Sequence, residues 1–263
     1  MNIITFPGIG ITFNVSKVAV TILGRPITWY AIFIVVAICI AFIFYKKRDG
    51  LYKIKFADVF DLSLYLIPIS FLGARLYYVL FNLDYYLKNP ADILNISKGG
   101  LAIYGGIIAG AITCYIFSRK RKIDFLNLLD YLIPPIALGQ SIGRWGNFVN
   151  IEAYGTETTN ILRMGILENG IYKEVHPTFL YESFATFIIF LFLLFYQKKR
   201  NFRGEITYIY LCFYSFARAI IEPLRIDSLM IGKYRISHVL SIAILVVLLS
   251  FLSKKVKNLH NKL

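Results

Sequence analysis

Apolar residues in this chain come in long unbroken runs separated by short polar connections. They neither alternate with period two nor stripe one face of a helix. Seven runs stand out: Ile27 to Tyr45, Val59 to Phe81, Gly99 to Phe117, Phe125 to Ile142, Phe179 to Tyr196, Ile206 to Ile221 and Ile236 to Leu252. A helix needs about 20 mostly apolar residues to cross a hydrocarbon core of roughly 30 Å, and only a helix or a closed barrel satisfies its own backbone there. The pattern predicts an all-α, polytopic integral membrane protein with about seven transmembrane helices. The fourth run carries Asp130 and Pro134-Pro135, and the sixth ends in a stretch bearing tyrosine and arginine. Such irregularity is tolerated at membrane depth where protein covers it or where it lines a wet cavity.

Composition sharpens this picture. Of 263 residues, 57% are hydrophobic and 17% charged, against about 45–50% and roughly 25% in soluble domains. Little chain remains for a second domain, so residues 1–263 are expected to form one transmembrane unit. The polar, glycine-bearing connection 143–177 is long enough to form a small extracytoplasmic cap. The first 24 residues lack both a basic n-region and a continuous apolar core, which argues against a cleaved signal peptide. Cys39, Cys114 and Cys212 all lie inside apolar runs without metal-ligand spacing, and read as small packing residues.

Charge supplies the orientation. The net charge of +14 does not mark a nucleic-acid binder, because the cations cluster just after apolar runs, where they act as topology determinants and touch anionic lipid. The segments KKRDGLYKIK, SRKRK, QKKRNFR and the C-terminal tail hold seventeen of the 29 cations, while the longer alternate connections hold ten. The asymmetry predicts an N-terminus outside and a C-terminus in the cytoplasm.

On that topology the unusual polar residues gather at the outer face. Ionisable groups inside spans are costly, and each is a candidate functional group. Tyr30 opens the first span, Arg75 lies in the outer half of the second, and Tyr104 in the first turns of the third. Arg144, Asn147, Asn150 and Glu152 follow the fourth, and His176 and Glu182 flank the fifth. Tyr214, Arg218 and Glu222 climb the sixth, and His238 begins the seventh. Singly, most have bland readings: a tyrosine belt, a snorkelling arginine, or an intrahelical Arg218–Glu222 pair. The glycines of GGLAIYGG and of GQSIGRWG read most simply as close helix packing. Together they describe an outward-facing site. Planar guanidiniums match phosphate with paired hydrogen bonds and desolvate more readily than ammonium. An anionic phospholipid headgroup is the natural guest.

The stretch GRWGNFVNIEAYG, Gly143 to Gly155, resembles the signature of the prolipoprotein diacylglyceryl transferase family, GRxGNFxNxExxG. Supporting matches are WYAI at Trp29, GARLYYVLF at Gly73, HPTFLYES at His176 and YSFARAIIEPLR at Tyr214, so the resemblance runs along the chain. It implies transfer of the diacylglyceryl group of phosphatidylglycerol to the lipobox cysteine of a bacterial prolipoprotein signal peptide. The reaction releases glycerol phosphate at the extracytoplasmic face of the cell membrane, without cofactor or metal. By the resemblance, Arg144 and Arg218 bind the headgroup and aid its departure. Asn147, Glu152 and Gly155 fill important signature positions, Tyr30 matches a first-span tyrosine, and Tyr214, Glu222 and Arg225 fit the sixth-span motif. Arg75 and His176 are further headgroup candidates, and Glu152 is expected to hold an arginine in place. Tyr104 departs from the family, because many members carry histidine there, proposed as a base. A phenol with a reference pKa of about 10 is a poor base near neutrality. Either Tyr104 positions phosphate by hydrogen bonding, or the base lies elsewhere, or none is needed.

Overall fold

The computed structural model describes residues 2–95, 99–168, 170–228, 230–232 and 234–260, with side chains omitted at 2, 231 and 251–260. Long helices occupy all seven apolar runs: α1 (Trp29–Lys47), α2 (Phe56–Leu80), α4 (Ile103–Lys120), α5 (Phe125–Asn150), α6 (Thr178–Tyr196), α7 (Glu205–Ile221) and α8 (Ile236–His260). A short helix, α3 (Leu83–Lys88), lies between α2 and α4. By length and composition α1, α2 and α6 suffice to cross a membrane, and α8 contributes a shorter apolar stretch, Ile236–Ser250.

The expectation of an all-α chain needs amending, because small sheets accompany the helices. Strands β1 (Asn2–Phe6), β2 (Ile11–Val15), β5 (Met164–Glu168) and β6 (Ile171–Val175) form one antiparallel sheet in the order β2-β1-β5-β6. Two hairpins stand apart from it, β3 (Val18–Ile22) with β4 (Arg25–Thr28), and β7 (Met230–Ile231) with β8 (Tyr234–Arg235). The chain's beginning therefore joins the cap expected at 143–177. The start of that cap also shifts, since Gly143 to Asn150 are still helix in α5.

Two compact units divide the chain, one of Met1–Phe44 with Leu132–Leu263 and the other of Tyr45–Tyr131. In the first, the cap sheet buries Ile4, Phe6, Met164, Ile166 and Val175 against Phe148 and Val149 of α5 and Phe179 of α6. A second core joins Ala137 and Leu138 of α5 to Ile189, Phe190 and Leu193 of α6 and Ile206 and Tyr210 of α7. Reciprocal hydrogen bonds tie α5 to α6, with Ser141 Oγ donating to Ser183 O at 2.8 Å and Ser183 Oγ to Ser141 O at 2.9 Å.

In the second unit α2 and α4 pack through their glycines. A Cβ on Gly105 would stand 2.3 Å from Gly73 O, and one on Gly73 only 2.3 Å from Ala109 Cβ. Small residues let two backbones approach where van der Waals contact, not the hydrophobic effect, holds helices together.

Candidate active site

The signature Gly143-Arg144-Trp145-Gly146-Asn147 lies on the last two turns of α5. Helical geometry puts residues three apart on one face. Arg144 Nη1 accordingly donates to Asn147 Oδ1 at 3.2 Å. Gly146 is needed for contact, because a Cβ there would fall 2.1 Å from the Tyr30 ring. Tyr30 is thus held against the signature helix by a missing side chain. Gly143 has no such constraint, with no atom within 4 Å of its would-be Cβ.

After α5 the chain turns sharply, with Ile151 and Ala153 both at positive φ. Gly155 then enters a crowded corner. Its N–H donates to His176 O at 2.8 Å, and it bridges Arg225 as an isolated antiparallel pair. A Cβ there would meet His176 Cβ and Leu224 O, each at 2.8 Å. One glycine therefore locks the exit of α5 to the entrance of α6 and to the segment after α7. His176 also places Nδ1 3.3 Å from Tyr181 Oη. Burial pushes its imidazole below the ordinary value, which favours the neutral ring near pH 7.

The centre of this unit is Glu182, one turn into α6 and 2% exposed. Its Oε1 accepts from Arg144 Nη2 at 2.5 Å and from Tyr214 Oη at 3.4 Å. Its Oε2 accepts from Arg218 Nη1 at 3.0 Å and Arg225 Nη1 at 3.4 Å. Arg218 also pairs with Glu222, one turn on. Arg225 grips Asp227 in a bidentate fork, Nε to Oδ1 at 2.9 Å and Nη2 to Oδ2 at 2.7 Å. Burial raises the Asp227 carboxyl, but the Arg225 hydrogen bonds outweigh it and hold the group below the usual carboxylate range. Three guanidiniums thus face two buried carboxylates, Glu182 and Glu222, and the more exposed Asp227, a pairing that offsets the cost of burying charge.

Counting N–H donors separates the arginines. A guanidinium has five. Arg144 uses two of them, to Asn147 and Glu182, and Arg218 two, to Glu182 and Glu222. Among the described residues both keep donors for an incoming anion, and the Arg144 side chain is the more exposed, 25% against 13%. Arg75, in the other unit, is different. Its Nε donates to Ile93 O, Nη1 to Gly99 O and Gly100 O, and Nη2 to Asp92 O and Asn95 O, at 2.6 to 3.1 Å. The group also lies 5.3 Å from the centroid of the Tyr86 ring. With all five donors on backbone carbonyls, Arg75 holds Asp92, Ile93 and Asn95 on one side and Gly99 and Gly100 on the other.

Glu152 is exposed, its backbone N–H donates to Asn147 O at 2.9 Å, and no ion pair reaches its carboxylate among the described residues. The carboxylate that holds Arg144 is Glu182. The sequence marked Glu182 as an acid inside an apolar run, a signal that demands a cationic partner, without ranking it among the site residues. Tyr104 sits in the first turn of α4, half-buried, with no hydrogen bond to its phenol among the described residues.

The sequence profile described as prolipoprotein diacylglyceryl transferase matches residues 17–253. The chain belongs to this family. Among similar proteins, the phosphatidylglycerol–prolipoprotein diacylglyceryl transferase of Finegoldia magna is 45% identical over 232 residues, covering 88% of this chain and 92% of that one. The protein of the same name from Clostridium novyi is 42% identical over 255 residues, covering 94% and 98%. That from Clostridioides difficile is 40% identical over 246 residues, covering 92% and 98%. Membership in this transferase family agrees with the resemblance carried by Gly143 to Gly155, and the apolar helices fit a membrane enzyme.

Proposed function

We propose that the chain moves the diacylglyceryl group of phosphatidylglycerol onto the lipobox cysteine thiol of a prolipoprotein signal peptide, in the cell membrane. The observation that carries this reading is the Arg144–Glu182–Arg218 bridge, in which one buried carboxylate aims two guanidiniums while leaving each with free donors. Family membership supplies the substrates. The thiol, with a reference pKa of about 8.5, loses its proton before attack. A C–S bond forms at the glycerol carbon, the C–O bond to phosphate breaks, and its electron pair leaves on the phosphate oxygen as glycerol phosphate. Charge on that oxygen grows along the reaction. Arg144 and Arg218 bind it more strongly in the transition state than in the ground state, having been positioned beforehand by Glu182. Asn147, Tyr30 and Tyr214 orient the headgroup, while Glu222 and Arg225 complete the charged frame. Tyr104 contributes a hydrogen bond and not proton abstraction. Seven spans with the N-terminus outside, supported by the Lys/Arg asymmetry, put this chemistry at the extracytoplasmic face.

The test is the mass of a lipobox peptide after incubation with phosphatidylglycerol and the protein in lipid. Addition of one diacylglyceryl group is expected. Arg144→Ala and Arg218→Ala should each lower turnover at least about tenfold to hundredfold, since a charge-assisted contact is worth about 1.5–3 kcal/mol. Tyr104→Phe should slow transfer and leave its pH dependence unchanged. An unmodified peptide with the parent protein would refute the reading. Near-normal turnover in either arginine variant would remove that residue from the chemistry.

A further inference from the structure

The β3–β4 hairpin carries an anomaly that the transfer reaction does not use. Its two-residue turn is Leu23-Gly24, with φ 50° and 74°. Both central residues at positive φ make a type I′ turn, whose first position favours Asn, Asp or Gly. Leucine there is strained, because its Cβ crowds the backbone in the left-handed region. It is also 98% exposed. A soluble hairpin would gain on both counts from a polar residue. The neighbouring strand repeats the bias. Val20 and Ile22, paired with Ile27 and Arg25, share one face and are 46% and 53% exposed. Among the described residues, this apolar pair and the tip stay exposed.

What covers them is indicated by continuity. The second strand ends at Thr28 and the next residue, Trp29, begins α1, a helix long and apolar enough to cross a membrane. Trp29 N donates to Lys17 O at 3.2 Å, which pins both legs of the hairpin to the first turn of that helix. Trp29 and Tyr30 are themselves 40% and 38% exposed, as aromatic residues at a bilayer interface are. Lys17 and Arg25 are exposed on the same short element, and Arg25 pairs directly across from Ile22. Apolar residues with cations whose stems can reach back to water fit a phospholipid surface.

We propose that the β3–β4 hairpin is an interfacial anchor, with Leu23, Val20 and Ile22 seated among the lipids at the N-terminal end of α1. The strain at Leu23 is retained because its side chain is needed in an apolar medium. This inference needs only that α1 spans the bilayer, and not the proposed transfer reaction.

The full-length chain, with Cys39, Cys114 and Cys212 replaced by serine, is placed in vesicles of phosphatidylglycerol and phosphatidylethanolamine. A spin label is attached at Leu23→Cys, or at Val20→Cys. Collision with oxygen should exceed collision with an aqueous nickel chelate severalfold at both sites. Leu23→Asn offers the turn its preferred residue, yet should raise nickel accessibility at the position 20 label severalfold. High access to both reagents would place the hairpin in water and overturn the proposal. Low access to both would mean that protein, such as a second copy of the chain, covers it, which overturns it equally. Unchanged accessibility in the Leu23→Asn variant would show that the tip anchors nothing.

Discussion

Glu182 carries the most consequence of any single residue. A carboxylate 2% exposed, receiving three guanidiniums and a phenol, is both counter-charge and tether. Replacing it with glutamine keeps the shape and removes the charge. Breaking a buried ion pair by deleting one partner costs about 3–5 kcal/mol, and loss of the shared tether frees Arg144 and Arg218 to drift. We expect Glu182→Gln to lower both the melting temperature in lipid and the transfer rate, the latter by about a hundredfold, as misplacement of about 1 Å does. Glu152→Gln should leave the melting temperature unchanged, because that side chain is exposed and unpaired in the described structure. A Glu182→Gln protein with parental turnover would deny the tether. At this scale the sequence named Arg218 and Tyr214 within an apolar run, and Arg144 just past the end of one. It ranked Arg75 beside them because burial partners cannot be read from one helix.

Among the elements, α5 and the turn after it do most to assemble the site. The helix continues to Asn150, past the apolar run that ends at Ile142, so that Gly143 to Asn150 of the signature are helical and only its end is a turn. Hydropathy ended the span where Arg144 and Asn147 begin, since polarity alone cannot tell a helix leaving the bilayer from a coil. The signature's glycines differ in what they do, and substitution should separate them. Gly155→Ala would force Cβ against His176 and Leu224 O at 2.8 Å, an overpacking that costs about 1–3 kcal/mol. It should also loosen the Gly155–Arg225 bridge and cut turnover at least about tenfold. Gly143→Ala meets open space inside a helix, where alanine is favoured over glycine by roughly 0.5–1 kcal/mol. It should match or exceed the parent in thermal stability. Melting curves and transfer rates of the two variants decide the matter, and equal behaviour would show that the close approach at Gly155 is not what holds the corner.

For the molecule as a whole, the open question is its disposition in the bilayer. Long helices fill all seven predicted runs, and three are sufficient by length and apolarity alone. The Lys/Arg distribution predicts that Asn160 lies outside and Arg121 inside. In a cysteine-free background, an impermeant thiol reagent applied to intact cells should modify Asn160→Cys and spare Arg121→Cys, with the reverse after permeabilisation. Labelling of position 121 in intact cells would invert the topology and with it the face at which the chemistry occurs.

Sequence by itself determined the helices, because a run of about 20 apolar residues has few ways to satisfy its backbone away from water. It also brought forward Arg75 and Arg218, since ionisable groups in such runs demand an explanation, while the signature came forward through its family resemblance. The Arg218–Glu222 pair was legible from its i,i+4 spacing, but tertiary structure alone brought Glu182 to the arginines. Glu182 lies 38 residues from Arg144 and 36 from Arg218, and no local period connects them. It alone joined β1 and β2 to β5 and β6, because strand pairing between distant segments depends on hydrogen bonds that neither segment encodes separately. It alone separated Arg75 from Arg144, since the difference lies in the five backbone carbonyls of Asp92, Ile93, Asn95, Gly99 and Gly100 that meet one guanidinium.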